Sequence, residues 1–134
     1  MAVSTESKTI LLVDDEDYLQ IFLKTLLIGE GYKVILASNG NEAVETYKDR
    51  QTEIDLILMD INMPIKDGFE SQKEISQFDP HVPVVLMSGN SYEELKDLDH
   101  VKFIRKPMYP LELFKTLQEV FQSIIPAPLQ GGYL

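Results

Sequence analysis

Acidic side chains follow two of the apolar segments of this sequence at the point where each segment ends. Asp14 and Asp15 come directly after the first segment, and Asp60 closes the segment LILMD. If these segments are neighbouring strands of one parallel sheet, the three carboxylates meet in one crevice at its edge. Such carboxylates repel one another, and a hard divalent cation such as Mg²⁺ relieves the repulsion. The residues predict a magnesium site, although acidic residues can also cap a following helix, the role we assign to Asp17.

A hydroxyl and an ammonium follow two further apolar segments. Ser88 comes after residues 82–87, and Lys106 lies two residues beyond residues 101–104. Phosphoryl transfer needs such groups beside a metal-bound carboxylate, because its transition state spreads negative charge over three equatorial oxygens. Taken alone, a serine at a strand end is usually a turn residue and a lysine is usually a solvated charge. Their joint placement predicts phosphoryl chemistry at one edge of the sheet.

Five short apolar segments must position these residues. Most are continuous rather than alternating, as in strands that are covered on both faces of a parallel sheet. Amphipathic spacing predicts a helix after each segment, the first of which ends near Gly29 and Gly31. The predicted strands are residues 10–13, 34–37, 54–59, 82–87 and 101–104. The predicted helices contain Leu19, Phe22, Leu23, Leu26 and Leu27; Ala43, Val44 and Tyr47; residues 68–78; residues 91–98; and Leu113, Leu117, Val120 and Ile124.

The alternation of strands and helices predicts an α/β fold, because right-handed crossovers place helices on both faces of a parallel sheet. We expect a doubly wound, five-stranded, flavodoxin-like sheet of order 2-1-3-4-5, in which ligands bind where the strand order reverses. We expect a tail over residues 1–8, one compact domain over residues 9–125, and a Pro- and Gly-rich tail or linker over residues 126–134.

The composition of the chain excludes several classes of protein. Its 134 residues are 44% hydrophobic and 25% charged, which is typical of a globular domain. Cysteine is absent, so disulfides, thiolate metal sites and cysteine nucleophiles are excluded. No signal peptide and no apolar stretch of membrane-spanning length is present, which favours a cytoplasmic location without a membrane partner. The net charge of −10 argues against direct binding of nucleic acid.

Four segments of the sequence, in order, resemble the signature segments of response-regulator receiver domains, the CheY-like superfamily of two-component signalling. They are ILLVDDE, LILMDINMPIKDG, VVLMSG and FIRKP, and the match spans roughly residues 8 to 124. The resemblance implies a phosphorylation-dependent switch that assists its own phosphotransfer and dephosphorylation, rather than a conventional enzyme.

The resemblance also implies a phosphoacceptor and a set of metal ligands. Asp60 would accept a phosphoryl group from a phosphohistidine on a sensor histidine kinase or a histidine phosphotransfer protein. Mg²⁺ would be bound by the side chains of Asp15 and Asp60, by the backbone carbonyl of Asn62, and by Asp14 through water. Met63, Pro64, Asp67 and Gly68 match the loop that follows the phosphorylation site.

The resemblance also implies roles for Ser88, Lys106 and Phe103 in switching. Ser88 and Lys106 would hold the phosphoryl oxygens, and Lys106 would join Pro107 through a cis peptide bond. Movement of Ser88 and Phe103 would then change the surface formed by the predicted fourth helix, fifth strand and fifth helix. That surface would control a protein partner or an attached output domain. An aromatic residue at position 103 can also be plain core.

Two other functions deserve comparison with this one. A Mg²⁺-dependent phosphatase of the haloacid-dehalogenase type also uses an aspartate at a strand end, but it requires a second aspartate two residues later. Asn62 occupies that position, and 134 residues leave little room for a substrate-covering cap. A pseudo-receiver keeps the fold as a binding module without phosphorylation, and it typically lacks an acidic residue or the lysine. All of those residues are present in this chain.

Overall fold

The computed structural model describes residues 8–89, 101–106 and 109–123. Five strands form one parallel sheet in the order β2-β1-β3-β4-β5, which confirms the predicted order. The strands are β1 (Thr9–Val13), β2 (Lys33–Ala37), β3 (Leu56–Asp60), β4 (Val84–Ser88) and β5 (Val101–Arg105). The described helices are α1 (Asp17–Gly29), α2 (Gly40–Arg50), α3 (Gly68–Phe78) and α4 (Pro110–Ser123).

The helix predicted fifth along the chain is α4. The helix predicted over residues 91–98 lies outside the described residues, as do Pro107, Ile124 and the predicted tail over residues 126–134. No helix in the described ranges is long and apolar enough to cross a bilayer.

The central strands are buried along their whole length. Every residue of β1, β3 and β4 is buried, because side chains on both faces of the sheet are covered by helices. The edge strands β2 and β5 each carry an exposed end, at Lys33 and Arg105 respectively. The predicted third and fourth strands begin two residues too early: Ile54 and Val82 are buried apolar residues but precede the strands. Burial, not strand pairing, explains their apolar character.

Two hydrophobic clusters lie on opposite faces of the sheet, because alternate residues of a strand point to opposite faces. Leu11 and Ile57 belong to the cluster that includes α2 and α3 residues, with Phe103 packed against it. Leu12 and Leu58 belong to the cluster that includes α1 and α4 residues. The sheet is therefore held between two packed layers.

The buried face of α1 is narrower than the sequence predicts. Leu23 and Leu27 are buried, whereas the side chain of Phe22 is 51% exposed. The chain leaves this helix through Gly31, whose φ of 99° lies in the left-handed region that favours glycine. Helix α3 begins with a capping box, in which the Asp67 side chain and the Glu70 side chain each accept a backbone N–H of the other residue.

Candidate functional site

Three carboxylates converge at the carboxyl edge of the sheet. Strands β1 and β3 are neighbours, with Val13 paired to Met59, so the residues that end or follow them lie side by side. One oxygen each from Asp14, Asp15 and Asp60 lies within 4.8 Å of the others, and such a group can hold a metal ion. Asp14 and Asp60 are buried, with 1% and 3% of their surface exposed, whereas Asp15 is exposed. The convergence predicted from strand order is present.

Burial makes ionisation of the two inner carboxylates unfavourable. Desolvation is the main reason that the pKa of Asp14 and the pKa of Asp60 are raised above the ordinary value of 3.8. The Lys106 ammonium opposes this by lowering both pKa values, but it does not cancel the effect of burial. The repulsion between carboxylates adds to the cost, and the all-oxygen donor set suits a hard cation such as Mg²⁺. The site therefore fits a divalent cation electrostatically and chemically.

Lys106, which directly follows the edge strand β5, brings a positive charge to the crevice. Its Nζ lies 3.3 Å from Asp60 Oδ1 and 3.5 Å from Asp14 Oδ2. Its backbone N–H donates to the Ser88 carbonyl at 2.7 Å, which ties the residue after β5 to the end of β4. The lysine side chain is mostly buried, so the ion pairs are partly shielded from solvent.

Ser88 lies on the strand next to Asp60. It is the last residue of β4 and is 5% exposed, and the preceding residue, Met87, pairs with Asp60 across the ladder. Asp60 and Ser88 therefore end adjacent strands at one edge. Phe103 is partly buried, and its ring centroid lies 6.0 Å from that of Phe69. It packs with the core on the α3 face of the sheet.

The loop after Asp60 folds back tightly over the strand end. The Asn62 N–H donates to Asp60 Oδ1 at 3.3 Å, and the Gly68 N–H donates to the Ile61 carbonyl at 2.9 Å. A Cβ at position 68 would lie 2.6 Å from the Asp60 carbonyl oxygen and 2.8 Å from Ile61 Cα. Glycine at position 68 therefore allows α3 to start against the backbone of Asp60 and Ile61.

Gln20 is a buried polar residue next to Asp14 that the sequence-based predictions did not include. Its side chain is 7% exposed, and its Nε2 donates to the carbonyl oxygens of Asp14 at 3.3 Å and Ala37 at 2.9 Å. One signal for it was available, because Gln20 precedes Leu23 and Leu27 at the spacing of the buried face of α1. A polar side chain on such a face needs buried partners.

Comparison with known proteins identifies the family of this chain. The family model of the response regulator receiver domain matches residues 10–118. Chemotaxis protein CheY of Thermotoga maritima is 34% identical over 119 residues, which cover 84% of this chain and 97% of that protein. The autoinducer 1 sensor kinase/phosphatase LuxN of Vibrio harveyi is 35% identical over 96 residues, which cover 72% of this chain but only 11% of LuxN.

A solved structure shows the same architecture. The CheX-CheY complex with BeF₃ and Mg²⁺ from Borrelia burgdorferi contains a chain with a TM-score of 0.79 and 30% sequence identity to this protein. The alignment covers 85% of this chain and 89% of that one. These similarities agree with the acidic crevice, with Lys106 directly after β5, and with the order of the strands. The chain therefore belongs to the response regulator receiver domain family of two-component signalling.

Proposed function

We propose that the domain is a phosphorylation-dependent switch in which Asp60 accepts a phosphoryl group from a phosphohistidine. The observation that carries this proposal is a buried carboxylate with Lys106 Nζ at 3.3 Å and two further carboxylates beside it. The donor would be a sensor histidine kinase or a histidine phosphotransfer protein. As a phosphoacceptor, the domain is a signalling switch and not a conventional enzyme.

Asp60 is a better nucleophile than Asp14 because of how its oxygens are occupied. Asp14 Oδ1 accepts the Glu16 N–H at 2.9 Å, and Asp14 Oδ2 faces Lys106. Both contacts that the described part of the chain makes with the Asp60 carboxylate, from Asn62 and Lys106, fall on Oδ1. Oδ2 is left to attack phosphorus. The P–N bond of the phosphohistidine breaks as the O–P bond forms, and the imidazole leaves with the electron pair.

The metal ligands in this proposal are the Asp15 and Asp60 side chains, the Asn62 backbone carbonyl, and Asp14 through water. When bound, Mg²⁺ would neutralise charge on the carboxylates and on the phosphoryl oxygens. The similar CheX-CheY complex from Borrelia burgdorferi contains Mg²⁺ and BeF₃, which supports binding of Mg²⁺ by this domain. Lys106 would then pair with one phosphoryl oxygen, and the Ser88 hydroxyl would donate to another.

Ser88 and Phe103 would convert phosphorylation into a change of surface. The phosphoryl group would draw Ser88 inward, and Phe103 would rotate into the space behind it. The register of the β4–β5 ladder supports this coupling, because Phe103 pairs with Leu86, two residues before Ser88. The altered surface next to β5 would be recognised by a protein partner or by an attached output domain.

Labelling with acetyl phosphate tests the phosphoacceptor. Wild type, Asp60→Asn and the exposed control Asp17→Asn are incubated with acetyl phosphate and Mg²⁺, and their intact masses are compared. We expect one added phosphoryl group on wild type and on the control, and none on Asp60→Asn. Label on Asp60→Asn at the level of wild type would contradict the proposal.

Beryllofluoride, a non-covalent mimic of the phosphoryl group, tests the switch. We expect NMR shifts at Phe103 and in α4 of wild type, and much smaller ones in Ser88→Ala despite binding of the mimic at Asp60. Shifts confined to the Asp60 loop in wild type, or distant shifts of full size in Ser88→Ala, would refute the coupling.

A further inference from the structure

Gln20 connects three parts of the molecule through one buried amide group. It belongs to the first turns of α1, and its Nε2 donates to the Asp14 carbonyl and to the Ala37 carbonyl. Asp14 follows β1, and Ala37 is the last residue of β2. The side chain therefore fixes the start of α1 against the ends of two strands.

The bond to Asp14 holds a carbonyl that lies beyond the β1–β2 ladder. The last paired residues of that ladder are Val13 and Ala37, and the Asp14 N–H donates to the Ala37 carbonyl at 3.2 Å. The next group along the chain, the Asp14 carbonyl, lies past the end of β2. Gln20 Nε2 supplies a donor to it at a buried position, where an unsatisfied carbonyl would be costly.

The carbonyl that Gln20 holds belongs to the peptide between Asp14 and Asp15. A peptide unit is planar, so its orientation determines the direction in which the chain reaches the next Cα. Fixing the Asp14 carbonyl therefore also fixes where the Asp15 side chain begins. Asp14 has a second restraint, the bond from the Glu16 N–H to its Oδ1. Asp15 is exposed, so its position depends more strongly than that of Asp14 on the peptide that precedes it.

We infer that Gln20 is a positioning residue for the metal site, acting through the peptide between Asp14 and Asp15. This inference rests on the proposed function for its metal ligands. A residue behind the ligands typically changes metal affinity about 10-fold to 100-fold when it is removed. Gln20 should therefore affect the affinity for Mg²⁺ and leave the phosphoryl chemistry at Asp60 unchanged once the metal is bound.

The test compares Gln20→Met with Leu27→Val. Methionine keeps the length of glutamine, but its side chain has no N–H to donate. Leu27 is a buried residue of the same helix whose side chain belongs to the hydrophobic cluster on the α1 face of the sheet. Mg²⁺ affinity is measured by calorimetry without any phosphoryl donor. We expect the Kd for Mg²⁺ to rise about 10-fold in Gln20→Met and to stay within twofold of wild type in Leu27→Val.

Two further measurements separate positioning from a general loss of stability. Hydrogen exchange at the Asp15 and Glu16 amides should accelerate in Gln20→Met but not in Leu27→Val, at a temperature where both variants are folded. The rate of labelling by acetyl phosphate should recover in Gln20→Met at saturating Mg²⁺. An unchanged Kd for Mg²⁺, or an equal rise in both variants, would overturn the inference.

The outcome also distinguishes this inference from the proposed function. If wild type binds Mg²⁺ but takes no label at Asp60, the phosphoacceptor proposal fails while a Gln20-dependent Kd still supports positioning. If wild type does not bind Mg²⁺, both fail. If Asp60 is labelled and Gln20→Met behaves as wild type, only the positioning role is lost.

Discussion

Asp14 and Asp60 are carboxylates that the fold holds almost completely out of solvent. Their pKa values are raised, mainly by burial, and the nearby Lys106 offsets only part of this. The native state without a cation therefore pays for two poorly solvated charges at neutral pH. Such a cost is common at functional sites, because the same groups are stabilised when their ligand binds.

Replacing one of these carboxylates with an amide should stabilise the metal-free protein. We expect Asp60→Asn to raise the Tm in EDTA at pH 7 by about 4 °C, since about 1 kcal/mol shifts the Tm of a domain of this size by a few degrees. The surface variant Asp17→Asn is the control and should not raise the Tm, because the negative charge of Asp17 in the first turn of α1 is favourable. A lower Tm for Asp60→Asn would show that its ion pair with Lys106 outweighs burial.

The same shifts determine how stability depends on pH. The native pKa of Asp60 lies above the unfolded value of 3.8. Between these two pKa values, the native state binds more protons than the unfolded state. The contribution of Asp60 to stability is therefore present below pH 3.8 and is lost as the pH rises through the native pKa. Urea unfolding in EDTA from pH 4 upward should show a smaller decline in Asp60→Asn than in wild type. Equal slopes would contradict the raised pKa.

Ile65 is strained and exposed in the loop after Asp60. Its φ is 72°, and the Lys66 N–H donates to the Pro64 carbonyl at 2.8 Å, which makes Ile65 the centre of a γ-turn. The form with positive φ is rare and strained, and Ile65 is β-branched. Its side chain is 94% exposed, so burial of its own side chain contributes almost nothing against this strain.

We expect Ile65→Gly to stabilise the protein by about 1 kcal/mol, because relief of backbone strain exceeds the entropy cost of glycine. Ile21→Gly is a matched control, since Ile21 is 62% exposed but lies inside α1. That control should lose about 0.5 kcal/mol of helix propensity. Urea denaturation of both variants measures the difference, and destabilisation by Ile65→Gly would argue against strain at position 65.

At the scale of elements, the start of α3 is set by its contact with the end of β3. Gly68→Ala would push a Cβ against the Asp60 carbonyl and Ile61 Cα. We expect a loss of about 2 kcal/mol, as for other overpacked sites, together with slower labelling of Asp60 because the loop must move. Chemical denaturation and acetyl phosphate labelling measure the two effects.

Gly29→Ala is the matched control for Gly68→Ala. A Cβ at position 29 would meet nothing within 4 Å, and Gly29 is the last residue of α1. Alanine there should gain about 0.5 kcal/mol from helix propensity and leave labelling unchanged. If Gly68→Ala labelled as fast as Gly29→Ala, the close approach at position 68 would not matter for the site.

Sequence patterns predicted the described elements and the convergence of Asp14, Asp15 and Asp60, because both depend on local signals. Continuous apolar segments marked the buried strands, and polar residues at their ends marked the edge where Asp14, Asp60 and Lys106 meet. The strand boundaries near Ile54 and Val82 were wrong, because a buried apolar residue need not belong to a ladder. Gln20 was missed because its partners are backbone carbonyls, which no side-chain pattern marks.

At the scale of the whole molecule, binding of a cation to the native crevice should be linked to folding. The unfolded chain does not hold Asp14, Asp15 and Asp60 together, so Mg²⁺ should bind the native state preferentially. At 100 times its Kd, Mg²⁺ should add about 2.7 kcal/mol to the free energy of unfolding. Thermal unfolding with Mg²⁺ and with EDTA measures this effect.

Asp15→Asn should abolish most of the stabilisation by Mg²⁺, since it removes the charge of an exposed, proposed ligand and leaves the buried core unchanged. Asp17→Asn, also exposed and two residues away, should respond to Mg²⁺ as wild type does. A full response to Mg²⁺ in Asp15→Asn would remove Asp15 from the proposed set of ligands.

The identity of the phosphorylated residue can be read directly from the labelled protein. Borohydride reduces an aspartyl phosphate to homoserine, so wild type labelled with acetyl phosphate and Mg²⁺ is reduced, digested and sequenced by mass spectrometry. We predict homoserine at position 60 alone, because Asp60 has a carboxylate oxygen left to attack phosphorus and Lys106 beside it. Homoserine at position 14 or 15, or at no position in a protein that carries label, would contradict the assignment of Asp60 as the phosphoacceptor.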